Sequence, residues 1–233
     1  MSLISVIIPY YQKKKYITSS INSVLKQSYK NLELLIIYDD TNHEDLTILN
    51  NLKKRDKRVK IFINKKNLGA GLSRNKGIKL SRGKFIAFLD SDDLWSRNKL
   101  KKQIFFMKQH KIKISHTSYY IINYKNKVIG QRRAKDLSHK QLLKSCDIGL
   151  STIILDKKLI KNNIKFASIK TKEDYVLWLQ ITLYEKKIYA LPDKLTKWRK
   201  LDNSLSSSKF QKFKDGYLVY RKYMKFNQLK SFF

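Results

Sequence analysis

Asp90, Asp92 and Asp93 crowd three carboxylates into four residues, directly behind the apolar run Phe-Ile-Ala-Phe-Leu at 85–89. Like charges this close repel, so only a cation or a set of hydrogen-bond donors makes the clustering favourable. Hard oxygen ligands suit Mg2+ or Mn2+, ions that also hold phosphate oxygens. The residues alone leave a second reading open: an Asp-rich turn in which Asp92 or Asp93 N-caps a helix beginning near Leu94. Asp39 and Asp40 end another apolar run. Glu173 and Asp174 open a segment of helical period with Leu177, Ile181 and Tyr184 on its apolar face. An acidic pair at a helix start complements the helix dipole. The four histidines, His43, His110, His116 and His139, have no metal-ligand spacing, and no Ser-His-Asp or Cys-His constellation is convincing.

The elements that must position these acids follow from periodicity. Apolar runs at 3–8 (ended by Pro9), 32–38, 59–63 and 85–89 have strand length and are too short for helices. Between them lie segments of helical period: Ile17, Ile21, Val24 and Leu25; then 45–54 with Leu46, Leu49 and Leu52; then 70–80 with Leu72, Ile78 and Leu80. Strand alternating with helix predicts a parallel sheet with right-handed crossovers, whose ligands bind outside the carboxyl ends of the strands. Pro9, Asp39, Asp40, Asp90, Asp92 and Asp93 then share one rim. Five carboxylates on one rim suit a cation and a sugar nucleotide better than they suit a purely structural edge. Further on, the pattern predicts a helix over 96–110, a strand over 112–124 turning through Lys125-Asn126-Lys127 into Val128-Ile129, and a helix over 138–145 capped by Ser138. A strand over 151–155, a helix over 173–185 and short strands at 188–191 and 195–198 complete the reading. Residues 204–208 are the one linker-like stretch.

Five ordered stretches resemble family 2 glycosyltransferases of the GT-A fold. They are Ser5-Val-Ile-Ile-Pro-Tyr-Tyr, Ile21-Asn-Ser-Val-Leu-Lys-Gln-Ser-Tyr, Ile36-Ile-Tyr-Asp-Asp, Asn67-Leu-Gly-Ala-Gly-Leu-Ser-Arg-Asn-Lys-Gly-Ile running on to Phe88-Leu-Asp-Ser-Asp-Asp-Leu-Trp, and Lys172-Glu-Asp-Tyr-Val-Leu-Trp-Leu. The resemblance implies an α/β, Rossmann-like, mostly parallel sheet flanked by helices, with a small acceptor-side subregion and a C-terminal helical tail. It divides the chain into a glycosyltransferase domain at 1–205 (nucleotide-binding half 1–95, acceptor half 96–205) and a basic segment at 206–233. It implies an inverting, metal-dependent transfer from a nucleotide sugar, expected to be a UDP-sugar, to a hydroxyl of a glycan or lipid-linked acceptor in surface-polysaccharide synthesis. By the same resemblance Asp174 is the catalytic base and Glu173 its supporter. Pro9, Tyr11, Asp39, Asp40, Arg74, Asp90, Ser91, Asp92 and Arg199 contact the nucleotide sugar, and Asp92 and Asp93 hold Mn2+ or Mg2+. Arg74 and Lys76 read otherwise as a solvated helix face, and Arg199 and Lys200 as exposed strand-end charges. The chain departs from the family pattern at Pro9-Tyr10-Tyr11-Gln12, at Asp39-Asp40-Thr41-Asn42, and at Trp198-Arg199-Lys200-Leu201, which lacks the late His of many relatives.

Composition adds one anomaly, a formal net charge of +33 over 233 residues. Of the 51 basic residues only 9 are Arg, and the lysines are scattered over the whole chain. Arg is the usual reader of bases, so no specific nucleic acid is expected. The abundance of Lys with Asn, Ile, Tyr and Phe resembles coding bias of an AT-rich genome. A non-catalytic basic module binding nucleic acid or anionic polymers on the same core is the alternative, and the acidic rim argues against it. One cysteine, Cys146, rules out an internal disulfide and fits a reducing compartment. No run approaches a membrane span and no signal peptide is evident, so a cytoplasmic protein is expected. The segment from 206 places Phe210, Phe213, Tyr217, Tyr220 and Met224 at three- and four-residue steps among lysines. That pattern fits a helix lying on an anionic membrane surface on the inner face of the membrane, or one packed on the domain.

Overall fold

The computed structural model describes residues 1–160, 164–201 and 209–227. Four apolar runs form parallel strands β1 (Ile4–Tyr10), β2 (Leu32–Tyr38), β3 (Val59–Ile63) and β4 (Phe85–Phe88), in the spatial order β3-β2-β1-β4. Helices α1 (Lys14–Leu25), α2 (Leu46–Arg55) and α3 (Ala70–Leu80) connect them. Alternate residues of β1 go to opposite faces. Val6 and Ile8 pack with Ile17, Ile21 and Val24 of α1 and Leu49 of α2, while Ile7 packs with Ile78 of α3. Both faces are covered, so the strands read as unbroken apolar runs. At Gly77 of α3 a Cβ would come within 2.5 Å of Ile7 Cγ2, so only glycine lets this helix lie so close to the sheet.

The chain winds outward from β1 through β2 to β3, then returns to place β4 on the other side of β1. Such a reversal opens a crevice at the carboxyl ends of the two central strands. β1 does not stop at Pro9 but runs on to Tyr10. Tyr10 O accepts from Asp39 N on the β2 side, and Ile7 O accepts from Leu89 N on the β4 side. Pro9 shares the side of Ile7, past the end of β4, so its missing N–H leaves no ladder bond unmade.

The second half extends the same sheet in the order β4-β9-β6-β10-β5. Its elements are β5 (Leu94–Trp95), α4 (Lys99–Gln109), β6 (Ile114–Ile122), β7 (Val128–Arg132), β8 (Leu137–Ser138), α5 (His139–Lys144), β9 (Ile154–Asp156), α6 (Glu173–Thr182) and β10 (Lys187–Arg199). β6 and β10 pair parallel, and the other joins of this half are antiparallel. The β6–β7 hairpin forms as expected, with Asn123 Oδ1 accepting from Lys125 N and Lys127 N and Asn126 at φ 66°. Ser138 caps α5 in a reciprocal box with Gln141.

Several boundaries differ from the sequence reading. The helix expected from 96 begins at Lys99, because the chain first spends Leu94–Trp95 pairing with β10. The strand expected over 151–155 is a 3-10 turn, Leu150–Thr152, followed by β9. The helix expected to reach 185 ends at Thr182, leaving Tyr184 exposed instead of on the apolar face. The two strands expected at 188–191 and 195–198 are one strand, β10, which crosses Pro192 through two register shifts.

A last helix, α7 (Lys209–Leu218), passes into a π-helical turn, Val219–Tyr223. It docks through Asp215, whose Oδ2 accepts from Thr171 N and Thr171 Oγ1, both at 2.8 Å, and through the buried Val219. The expected apolar series therefore splits. Tyr220 and Met224 pack on the core, whereas Phe210 and Phe213 are 79% and 63% exposed. The linker-like 204–208 and the boundary near 205 lie outside the described residues.

At the amino-terminal edge of β2, buried Glu33 accepts from Ser5 Oγ (2.6 Å), Lys60 Nζ (2.7 Å) and Arg82 N (2.7 Å). Burial alone would raise its pKa, but the hydrogen bonds from Lys60, Ser5 and Arg82 outweigh burial and bring it down to about 2. A depressed folded pKa contributes stability that is present above the unfolded value, near 4.5, and is lost as pH falls toward 2. Glu33→Gln is therefore expected to cost about 2 kcal/mol in urea unfolding at pH 7, with the gap to the parent closing between pH 4.5 and 2.

Candidate functional site

The acidic turn behind β4 is fixed by donors from far along the chain. Asp93 is 1% exposed. Its Oδ2 accepts from Ser151 Oγ (2.6 Å) and its Oδ1 from Arg199 N (2.8 Å). Ser151 Oγ also accepts from Asp90 N (3.0 Å), and Ser151 O accepts from Trp95 Nε1 (2.7 Å). The turn is followed by β5, so neither Asp92 nor Asp93 caps a helix. Burial, then the charges of Asp92 and Asp90, push the Asp93 carboxyl well above its ordinary pKa. This surrounding differs from the one expected for a metal ligand, because Asp93 is turned into the protein and braces the turn.

Asp90 and Asp92 keep partial access to solvent. Asp92 Oδ2 lies 3.1 Å from Lys13 Nζ. Burial and the charge of Asp90 raise its pKa, so the repulsion expected from the sequence persists in the fold. Among the described residues no group of three or more His, Cys, Asp or Glu side chains forms a metal cage. The open oxygens of Asp90 and Asp92 fit a Mg2+-like ion that completes its shell with water and substrate phosphates.

Arg74 of α3 is not on a solvated face. It is 4% exposed, and it spans two acids. Its Nη2 donates to Asp90 Oδ1 (2.7 Å) and its Nη1 to Glu173 Oε1 (2.6 Å), with the guanidinium 5.4 Å from the Phe166 ring centre. Its neighbours are also committed. Ser73 Oγ accepts from Asn64 Nδ2, Asn75 exchanges two hydrogen bonds with the backbone of Phe166, and Lys76 Nζ donates to Ile63 O and Asn64 Oδ1. At Gly71 an added Cβ would meet Ala167 O at 2.6 Å and Glu173 Cγ at 3.1 Å. Glycine there allows α3 and the start of α6 to touch.

Asp174, next to Glu173, is held differently. Its Oδ1 accepts from Tyr175 N at 2.8 Å. Burial and then the charge of Glu173 push its carboxyl up to about 7, against the pull of Arg74. A carboxylate poised near neutrality is what general-base chemistry requires.

On the other wall, Asp39 is buried and faces the loop after β3. Its Oδ1 accepts from Asn64 Nδ2 and Leu68 N, and its Oδ2 accepts from Gly69 N. Asp40 Oδ1 accepts from Asn42 N in an Asx turn. Pro9 is buried in β1 and Tyr11 is 45% exposed beyond it. Ser91 is buried, its carbonyl accepting from Ser20 Oγ (3.0 Å). Arg199 is buried rather than exposed at a strand end. Its guanidinium donates to Asp92 O, Asn123 O and Asn126 Oδ1 and stacks over Tyr16 at 4.6 Å. It ties the acidic turn to the β6–β7 hairpin, and Lys200 is the exposed neighbour. The sequence reading missed Lys13 and Ser151. An isolated Lys and an isolated Ser carry no spacing signal, and only the fold brings them to the acids.

Known proteins share this arrangement of sequence. The profile of Glycosyl transferase family 2 matches residues 5–169. WfgD of Escherichia coli, a UDP-Glc:alpha-D-GlcNAc-diphosphoundecaprenol beta-1,3-glucosyltransferase, is 41% identical over 215 residues, covering 91% of this chain and 83% of the relative. TuaG of Bacillus subtilis, a putative teichuronic acid biosynthesis glycosyltransferase, is 31% identical over 231 residues, covering 98% and 91%. In structure, residues 1–349 of S. aureus TarS in complex with UDP-GlcNAc superpose with a TM-score of 0.77 at 24% identity, over 98% of this chain and 69% of that one.

Arg74 holds its two acids with two different nitrogens, a span that one ammonium does not reproduce. Arg74→Lys and Arg74→Ala are both expected to lose about 3 kcal/mol or more in urea unfolding at pH 7, the usual cost of leaving buried charges unpaired.

Proposed function

The chain belongs to glycosyl transferase family 2, and from that premise we propose that it transfers a sugar with inversion from a UDP-sugar to a hydroxyl of a lipid-diphosphate-linked glycan. The observation that carries this reading is Asp174, a partly buried carboxyl pushed up to about 7, one residue from the acid that Arg74 ties to Asp90. The donor and acceptor are inferred from WfgD, whose name specifies UDP-Glc and a diphosphoundecaprenol-linked sugar. Surface-polysaccharide synthesis on the cytoplasmic side of the membrane is the setting this acceptor suits.

In this mechanism the acceptor hydroxyl attacks the anomeric carbon of the donor. Asp174 takes the hydroxyl proton as the new C–O bond forms and the bond to the diphosphate breaks. A single displacement needs no covalent nucleophile. Glu173, locked to Arg74, keeps α6 in place, and its negative charge adds to burial in making Asp174 basic. Asp92, with Asp90 beside it and Asp93 bracing the turn, would hold the divalent cation. That ion, Mn2+ or Mg2+, supplies charge neutralisation at the departing nucleoside diphosphate. Pro9, Tyr11, Asp39, Asp40 and Ser91 line the nucleotide side of the crevice in this reading, and Arg199 fixes its far wall.

Asp174→Asn is expected to leave UDP binding intact and to lower turnover by at least about 100-fold. The parent's rate should rise with pH through about 7 as Asp174 loses its proton. The stability sign is opposite to that of Glu33. A raised folded pKa favours folding below the unfolded value of 3.8, and that advantage is lost as pH climbs through about 7. The Asn variant should therefore be at least as stable as the parent at pH 8. A variant that unfolds at pH 8 while the parent does not would assign Asp174 a structural role.

Asp92→Asn is expected to abolish most of the Mn2+-dependent increment in UDP affinity measured by titration calorimetry, with little change in melting temperature. UDP affinity that ignores Mn2+ in the parent, or an increment unchanged in the variant, would sink the assignment of the cation to this turn.

A further inference from the structure

We propose that the outward face of α7, Phe210 and Phe213 with Lys214 beside them, docks on an anionic phospholipid bilayer. The rotation of the helix is set on its inner side. Asp215 is clamped to Thr171, Val219 is fully buried, and Tyr220 Oη donates to Leu143 O at 2.9 Å. At about 100° per residue, Phe210 and Phe213 fall on the side away from Asp215 and Val219. They stand 79% and 63% exposed, and Lys214 is exposed with them. Among the described residues, packing on the domain is thus satisfied by other side chains, and the two rings are left to an outside partner.

Charge selects that partner. Residues 209–227 carry six basic side chains and one acid, and the acid, Asp215, is buried against Thr171. A second copy bearing the same stripe and a net charge of +33 repels it. An anionic lipid surface attracts every one of the exposed lysines and takes the aromatic rings into its headgroup boundary. General charge alone would bring the protein near such a surface in no fixed orientation; the paired rings give it one.

The test separates rings from charge. Phe210→Ala/Phe213→Ala leaves the net charge unchanged and removes only exposed side chains. The full-length parent is expected to cosediment with vesicles of mixed phosphatidylcholine and phosphatidylglycerol at physiological salt, and not with phosphatidylcholine alone. The double variant, with unchanged far-UV circular dichroism, should lose at least about tenfold in partition coefficient, the loss expected when two buried rings are truncated. Equal partitioning of variant and parent would overturn the proposal and leave general charge as the cause. A parent dimer in sedimentation velocity that the double variant dissolves, without vesicle binding, would assign the face to a second copy. Vesicle binding by a chain ending at Asn227, absent from the full chain, would show residues 228–233 covering the rings and overturn it equally. None of these readouts depends on sugar transfer, so this proposal and the glycosyltransferase mechanism fail separately.

Discussion

Arg74 donates to Asp90 from one nitrogen and to Glu173 from another, and through these two bonds the acidic turn behind β4 is fixed against the start of α6. The guanidinium is almost fully buried and both distances are short, although Asp90 keeps access to solvent on its other side. Everything around it serves that position. Gly71 lets the helices touch, Asn75 clamps the segment leading into α6, and Phe166 lies against the guanidinium. The same bridge sets the electrostatics. It pairs the partly buried Glu173, while Asp174, one residue on, is pushed up to about 7 by burial and then by the charge of Glu173.

The parallel half of the sheet was legible because β1, β2 and β4 are buried on both faces and α1 and α2 each bury an apolar stripe. β2, β3 and α3 have the bounds that periodicity alone assigns. The mixed half was less legible. β5 and β8 have two residues each, too few for any pattern, and β10 crosses a proline that reads as a break. Tertiary pairing overrides local signals there. In the site, acidic clusters stand out in sequence because their repulsion demands a reason. Their partners do not. Ser151 and Lys13 are single ordinary residues, and Arg199 looks like any strand-end cation until three acceptors and the Tyr16 ring are brought around it. Arg74 reads as a helix-surface residue because the helix that covers it comes from 99 positions later.

Excess charge and chemistry are separable in this molecule. Apart from the buried Lys99, the described lysines are scattered over the surface, whereas the cations near the acids, Arg74 and Lys13, are bound to particular carboxylates. Substituting a surface lysine changes the far field, which salt screens within about 8 Å. Substituting Arg74 changes a buried contact that salt does not reach.

Residues 1–95 carry the acidic turn and the cations paired with it, Lys13 and Arg74, but the groups that brace it arrive much later: Ser151 and the backbone of Arg199 for Asp93, and Glu173 for Arg74. A nascent chain emerging from the ribosome therefore exposes the first four strands long before their site can close. With the closing contacts up to 107 residues away in sequence, the last steps of folding are long loop closures, which are slow relative to local helix formation. The acidic turn cannot reach its final shape until nearly the whole domain has been synthesised. A half-made chain is thus kept from presenting a finished crevice, and the half that appears first depends on the half that follows to brace its acidic turn.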